Sequence, residues 1–192
     1  MRLASLGRPF VSLALALALA FAGSLACRSQ PKEPDAAALI ADLSSDDAEK
    51  SGKASVTILG KGDLAVPGLI EMLGSPDPKL RSRAATTLWG LGGSAKAAVP
   101  ALAVALKDTD VTVRRPSASA LGNMGPLAAD AVPALIGALN DSDNQVRQLS
   151  AKALGAIGPA AKAALPALDA LARREGLREA AEDARKKISG GR

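Results

Sequence analysis

Ala131-Val132-Pro133-Ala134-Leu135, then Asp143-Asn144-Gln145-Val146-Arg147, then Ala153-Leu154-Gly155-Ala156-Ile157-Gly158 form the stretch that decides the fold, because the chain repeats it. Pro67, Pro100, Pro133 and Pro166 stand 33 residues apart, each in the same phrase: Ala65-Val66-Pro67-Gly68-Leu69, Ala98-Val99-Pro100-Ala101-Leu102, the stretch above, and Ala164-Leu165-Pro166-Ala167-Leu168. Asp77, Asp110 and Asp143 keep that interval, as do Arg81, Arg114 and Arg147, and Gly92, Gly125 and Gly158 close the units. Several columns in one register are a structural repeat, and a fixed period of this size marks a stacked architecture.

Each unit reads as two helices. Proline suits a first helical turn, where its missing N–H loses no bond, so helix A starts beside it. A polar turn such as Asn140-Asp141-Ser142-Asp143 follows, and its second aspartate is placed to cap helix B. Helix B carries Val146, Ser150, Ala153, Leu154 and Ile157 on one stripe and stops at Gly158-Pro159. Helices this short are marginal alone, so neighbours must cover each apolar face. The expected fold is all-α: an α-solenoid of stacked helical hairpins with a 33-residue period.

Asp143-Asn144-Gln145-Val146-Arg147, followed by Ala151 and Ala153-Leu154-Gly155-Ala156-Ile157-Gly158, resembles the short bacterial HEAT-like repeat, the type also found in phycobiliprotein lyases. The resemblance spans about residues 35–189 and implies a HEAT-repeat solenoid. Regular units are expected at 65–97, 98–130 and 131–163, flanked by a degenerate repeat at 36–64 and a C-terminal cap repeat at 164–192. Leu39, Ile40 and Leu43 suit the first helix A, and Leu177-Arg178 stands where Val146-Arg147 would, after a two-residue deletion.

The N-terminus has another character. Arg2 and Arg8 precede the apolar run Val11–Phe21, which is short for a membrane span, and a small-residue stretch ends in Cys27. Gly23-Ser24-Leu25-Ala26-Cys27 resembles a bacterial lipobox, though Ser24 stands where that motif prefers Leu. The expectation is a lipoprotein signal peptide at 1–26, lipidation on Cys27 and a polar tether at 27–35. Cleavage after Ala22 by ordinary signal peptidase, or retention of the segment as an anchor, are the alternatives. Arg28 in place of an Asp resembles the outer-membrane default, so the expected location is the periplasmic side of the outer membrane.

Composition narrows the chemistry. The 192 residues contain no His, and the single cysteine is Cys27. No imidazole base, His metal ligand or Cys-rich zinc site can therefore be assembled. Neither catalytic residues, nor a metal, nor a cofactor is expected. Asp108-x-Asp110 and Asp141-x-Asp143 have calcium-like spacing but lack the loop Gly and distal Glu of an EF-hand. Losing Arg2 and Arg8 with the signal leaves 22 basic against 19 acidic residues, a net +3, and this with export argues against nucleic acid.

The repeated charges Asp77, Arg81, Asp110, Arg114, Asp143 and Arg147 read as a structural ladder between units, since a residue present in every unit serves the stack. Trp89 departs from a column otherwise filled by Gly122 and Gly155; it either fills a gap or stands on a groove as an anchor. With Arg83, Thr86, Arg115, Ser119, Asn123, Gln148 and Lys152 it forms the candidate partner-binding strip on helix B. Pro116 reads as lying in the first turn of its helix. The resulting expectation is a monomeric, non-catalytic, membrane-anchored scaffold of the cell envelope, binding an unidentified protein partner on its concave face. Its alternative is an accessory factor or lyase-like enzyme, by resemblance to the lyases sharing the repeat. A peptide of residues 131–163 alone is expected to show little helix by circular dichroism; strong helicity there would remove the claim that neighbours supply each unit's core.

Overall fold

The computed structural model describes residues 35–190. The expected signal peptide, Cys27 and nearly all of the tether lie outside them. The described chain is an α-solenoid, with no strand among these residues. Its elements run α1 (Ala36–Leu43), α2 (Ala48–Lys61), α3 (Val66–Leu73), α4 (Pro78–Leu91), α5 (Val99–Ala105), α6 (Val111–Met124), α7 (Val132–Ala138), α8 (Asn144–Ile157), α9 (Leu165–Leu171) and α10 (Arg178–Ile188). Odd-numbered helices are the short A members of each pair, and even-numbered ones are the longer B members.

Proline sits at the first or second residue of α3, α5, α7 and α9. Asp77, Asp110 and Asp143 cap α4, α6 and α8, each accepting from a backbone N–H of the first turn. One element was not foreseen: after each closing glycine the chain continues as a 3-10 turn (Gly92–Ala98, Gly125–Ala131, Gly158–Ala164) before the next helix A. At Gly158 φ is +75° and ψ is −141°, a combination that a side chain would oppose. The alanines of these turns, Ala95, Ala98, Ala128, Ala131, Ala161 and Ala164, are fully buried, so the turn is a third packed segment of each unit.

The core repeats with the sequence. Leu69, Leu102, Leu135 and Leu168 are fully buried on the A helices, and Leu88, Leu121 and Leu154 on the B helices. Each such leucine contributes about 1.5–3 kcal/mol by leaving water. At the C-terminal end Leu177 is buried as Val146 is, one residue before α10 begins.

The B helices pack along each other's length, whereas the A helices touch only locally. Glycine makes the approach possible. A Cβ at Gly122 would lie 3.3 Å from Ala153 Cα on α8, and one at Gly155 would lie 2.9 Å from Ala184 Cα on α10. At the N-terminal end α2 lies more loosely on α4, and Leu59 covers Gly90 there.

Pro116 is the sixth residue of α6, not a first-turn residue. Its missing N–H would therefore orphan the Thr112 carbonyl four residues back. Ser82 of the preceding repeat donates its hydroxyl to that carbonyl at 2.7 Å.

Gly155→Ala is expected to destabilise the protein by about 1–3 kcal/mol, despite alanine's better helix propensity, because the backbone of α10 blocks the new methyl. Gly137→Ala in α7, where a Cβ meets nothing within 4 Å, is expected to stabilise by about 0.5–1 kcal/mol. Urea denaturation of the two variants checks the contrast; equal signs would mean that helix spacing does not rest on the glycine column.

Candidate functional site

The arginine ladder connects units differently from the sequence expectation. Arg81 Nε and Nη2 donate to the two carboxylate oxygens of Asp108 in the next unit, at 2.7 and 2.8 Å. Arg114 donates to Asp141 in the same way, at 2.8 and 3.0 Å. The acidic rungs are thus Asp108 and Asp141. Asp77 and Asp110 are not rungs; each caps its own helix, accepting from Lys79 N and Thr112 N at 2.8 Å. The physical reason is position: the acid nearest the preceding arginine sits in the turn after helix A, two residues before the cap. Asp108 and Asp141 also accept the backbone N–H of Asp110 and Asp143 at 2.8 Å, which orders the turn. Asp143 does both jobs, capping α8 through Val146 N and receiving a bidentate pair from Arg115.

These contacts hold the carboxylates ionised. Asp108 titrates below the ordinary carboxylate value because Arg81 donates to it, against the opposing effect of burial. For Asp141 burial pushes the value up, but Arg114 and the Asp143 N–H outweigh it and the net direction is down. Asp143 is lowered further, chiefly by Arg115. With both oxygens of Asp141 and Asp143 engaged by arginine, the calcium-like spacing becomes a set of ion pairs.

Three residues of the candidate partner-binding strip, Arg83, Arg115 and Asn123, are tied into the stack. Arg83 donates to the carbonyls of Leu43 and Ser45 in the first unit. Arg115 is held by Asp143, and Thr86 donates to Ser82 O within its own helix at 2.9 Å. Asn123 donates to Trp89 O at 2.7 Å, tying α6 to α4. Ser119, Gln148 and Lys152 enter none of these ties. Ser119 and Lys152 line a shallow groove of about 310 Å³ with Trp89, Ala118, Gly122, Asn123, Leu149 and Ala156. Trp89 is 49% exposed, so it stands on this groove and does not fill the core. The column explains why: Gly122 and Gly155 face the next B helix at distances that exclude a large side chain, so an indole there must lie outward. Leu149, the apolar residue across the groove, was missed, because in sequence it reads as one more partly buried helical position.

Taken together, a solenoid with paired charges inside its stack and a shallow groove beside Trp89 on its B helices defines a repeat scaffold. Residues 66–131 match the family model of HEAT repeats and residues 112–157 that of the HEAT-like repeat, so the chain carries HEAT-like repeats. Solved structures share the architecture. A chain from the complex of CpcE and CpcF of phycocyanin lyase from Nostoc sp. PCC7120 is 19% identical with a TM-score of 0.66, covering 78% of this chain and 97% of that one. An engineered protein of the Northeast Structural Genomics Consortium is 22% identical with a TM-score of 0.65, covering 82% of each chain. A designed armadillo repeat protein, solved in complex with the peptide (KR)4, is 16% identical with a TM-score of 0.62, covering 79% and 81%. At these identities the likeness establishes the fold alone. No curated protein matches the sequence.

Because the ladder aspartates titrate below their unfolded values, they contribute stability above about pH 4 and lose it as pH falls through the folded values. Thermal midpoints are expected to hold from neutral pH to about 4 and then drop. Asp141→Asn is expected to cost about 1–3 kcal/mol at neutral pH, and the Asp108→Asn, Asp141→Asn double variant to show a shallower acid slope. An unchanged slope in the double variant would remove the ladder from the account of acid stability.

Proposed function

We propose that this chain is a lipid-anchored, non-catalytic scaffold of the cell envelope that engages a protein partner on its B-helix face, with Trp89 as the anchor. The observation that carries the reading is the half-exposed indole of Trp89 on a groove built by rigid, mutually tied helices. Aromatic anchors beside small residues are what protein interfaces favour at their centres. The surrounding charges support the same reading: Arg83 and Arg115 are committed within the stack, so the groove offers contact area and shape and lacks a set of groups poised for proton transfer. The absence of His from the whole chain points the same way.

Anchoring rests on the sequence. Cys27 closes an export-type segment, and an acylated cysteine would keep the solenoid at a membrane and raise its local concentration there. With Arg28 next, the outer membrane facing the periplasm is the proposed location. The lyase activity in the name of a similar structure belongs to that protein, and fold likeness alone does not transfer it.

Intact mass of the protein from native-host membranes, beside a Cys27→Ser form, tests the anchor. The expected mass is that of residues 27–192 plus acyl chains, lost in the variant together with membrane association; a mass beginning at Gly23 with a free thiol would refute it. For the face, a photo-crosslinker at position 152 is expected to give one discrete product in cells. Trp89→Ala should abolish that product while changing stability by no more than about 0.5 kcal/mol. A product that survives the substitution would move the partner elsewhere.

A further inference from the structure

The ladder stops one rung short. Arg81 and Arg114 share one geometry. Nη1 donates to two carbonyls of the arginine's own turn (Ser75 and Pro76; Asp108 and Thr109), and the Nε/Nη2 edge meets the carboxylate of the following turn. Arg147 repeats the first half, donating from Nη1 to Asp141 O and Ser142 O at 2.6 and 3.1 Å. The second half is missing. Nη2 turns back to Asn144 Oδ1 at 3.0 Å, while Nε is closed to solvent and finds no acceptor among the described residues.

Sequence register explains the gap. The position 33 residues after Asp141 is Arg174, which is exposed and donates to Asn140 Oδ1 at 2.9 Å. A cation thus occupies the register of the missing carboxylate. The only other buried side-chain polar atom without a partner among the described residues is Ser150 Oγ, three residues along the same helix. Its counterpart Ser117 donates to Val113 O at 2.7 Å. Residues three apart are neighbours on a helix surface, so both unsatisfied groups fall on one turn of α8. A buried charged donor left unpaired is costly, and a planar carboxylate fits a guanidinium edge through two parallel bonds.

We propose that the Arg147 edge, with Arg174 in register, is a receptor for a carboxylate brought in from outside the chain: an Asp or Glu side chain of a protein partner, which displaces Asn144 Oδ1 from Nη2 and reaches Nε as the side chains covering it part, taking the place that Asp108 and Asp141 hold at the earlier rungs. The same chemistry could be offered by a free small carboxylic acid. This inference rests on the ladder and not on the Trp89 groove, so each stands or falls without the other.

The arginine Nε–Hε resonances of the 15N-labelled full chain in detergent test it, with Arg147 assigned through Arg147→Lys. Titration with sodium acetate, against sodium chloride at equal ionic strength, is expected to move the Arg147 signal and leave those of Arg81 and Arg114 in place, since these already hold carboxylates. Arg174→Asp should supply the rung within the chain, bring the Arg147 signal beside those of Arg81 and Arg114, end its response to acetate and raise Tm by about 2–4 °C. N-acetyl-aspartate N-methylamide is expected to half-saturate the shift at about threefold lower concentration than acetate, because its flanking amides add contacts. Equal potency would assign the site to free acids and overturn the protein source. An Arg147 signal indifferent to acetate, a stronger response to phosphate, or no effect of Arg174→Asp would overturn the site itself.

Discussion

A helix of seven or eight residues closes too few hydrogen bonds to repay the order it needs, and every A helix here is that short. Each is held by what covers it: the 3-10 turn with its buried alanines on one side, the longer B helix on the other, and the neighbouring units at both ends. Stability therefore lives between units. That one constraint accounts for the small side chains, the closing glycines and the regular placement of leucine. It also accounts for the close B-to-B approach at Gly122 and Gly155, since burying the short helices requires the long ones to come together.

The polar groups obey the same logic. A stack of short helices exposes many turn carbonyls and helix ends, and the chain meets them from the adjacent unit. Arg83 reaches back to the first turn, Arg81 and Arg114 reach forward to Asp108 and Asp141, and Ser82 satisfies the carbonyl that Pro116 leaves open. Proline in the second turn of a helix would ordinarily be a defect. Here it is tolerated because a neighbour supplies the missing donor, which couples Ser82 and Pro116 across a unit boundary.

Using arginine this way has a consequence for function. The arginines that the sequence shows along α4, α6 and α8 look available, yet all five are committed to carbonyls and carboxylates of the stack. What lines the groove on the B face is an indole, a leucine, small residues, Asn123 and Lys152. Such a surface suits recognition by shape. Other solenoids share this architecture while their named activities differ, which is why the groove and not the fold has to carry the functional reading.

The 33-residue register alone determined the solenoid, the start of α3, α5, α7 and α9 at proline, the aspartate caps of α4, α6 and α8 and the closing glycines, because all of these follow from local backbone rules applied at a fixed period. The buried leucine columns were legible for the same reason. The ladder was only half legible: the arginines form complete columns, but their acids occupy just two units, and the aspartates that do recur are caps. Tertiary structure decided which carboxylate meets which guanidinium, because the choice depends on how far one turn overlaps the next. It also decided that Trp89 lies outward, since only the distance between B helices shows that the glycine column has no room for a ring. Spacing along a chain reveals what repeats; the packing distance between repeats settles which side chains are consumed in the stack and which stay at the surface.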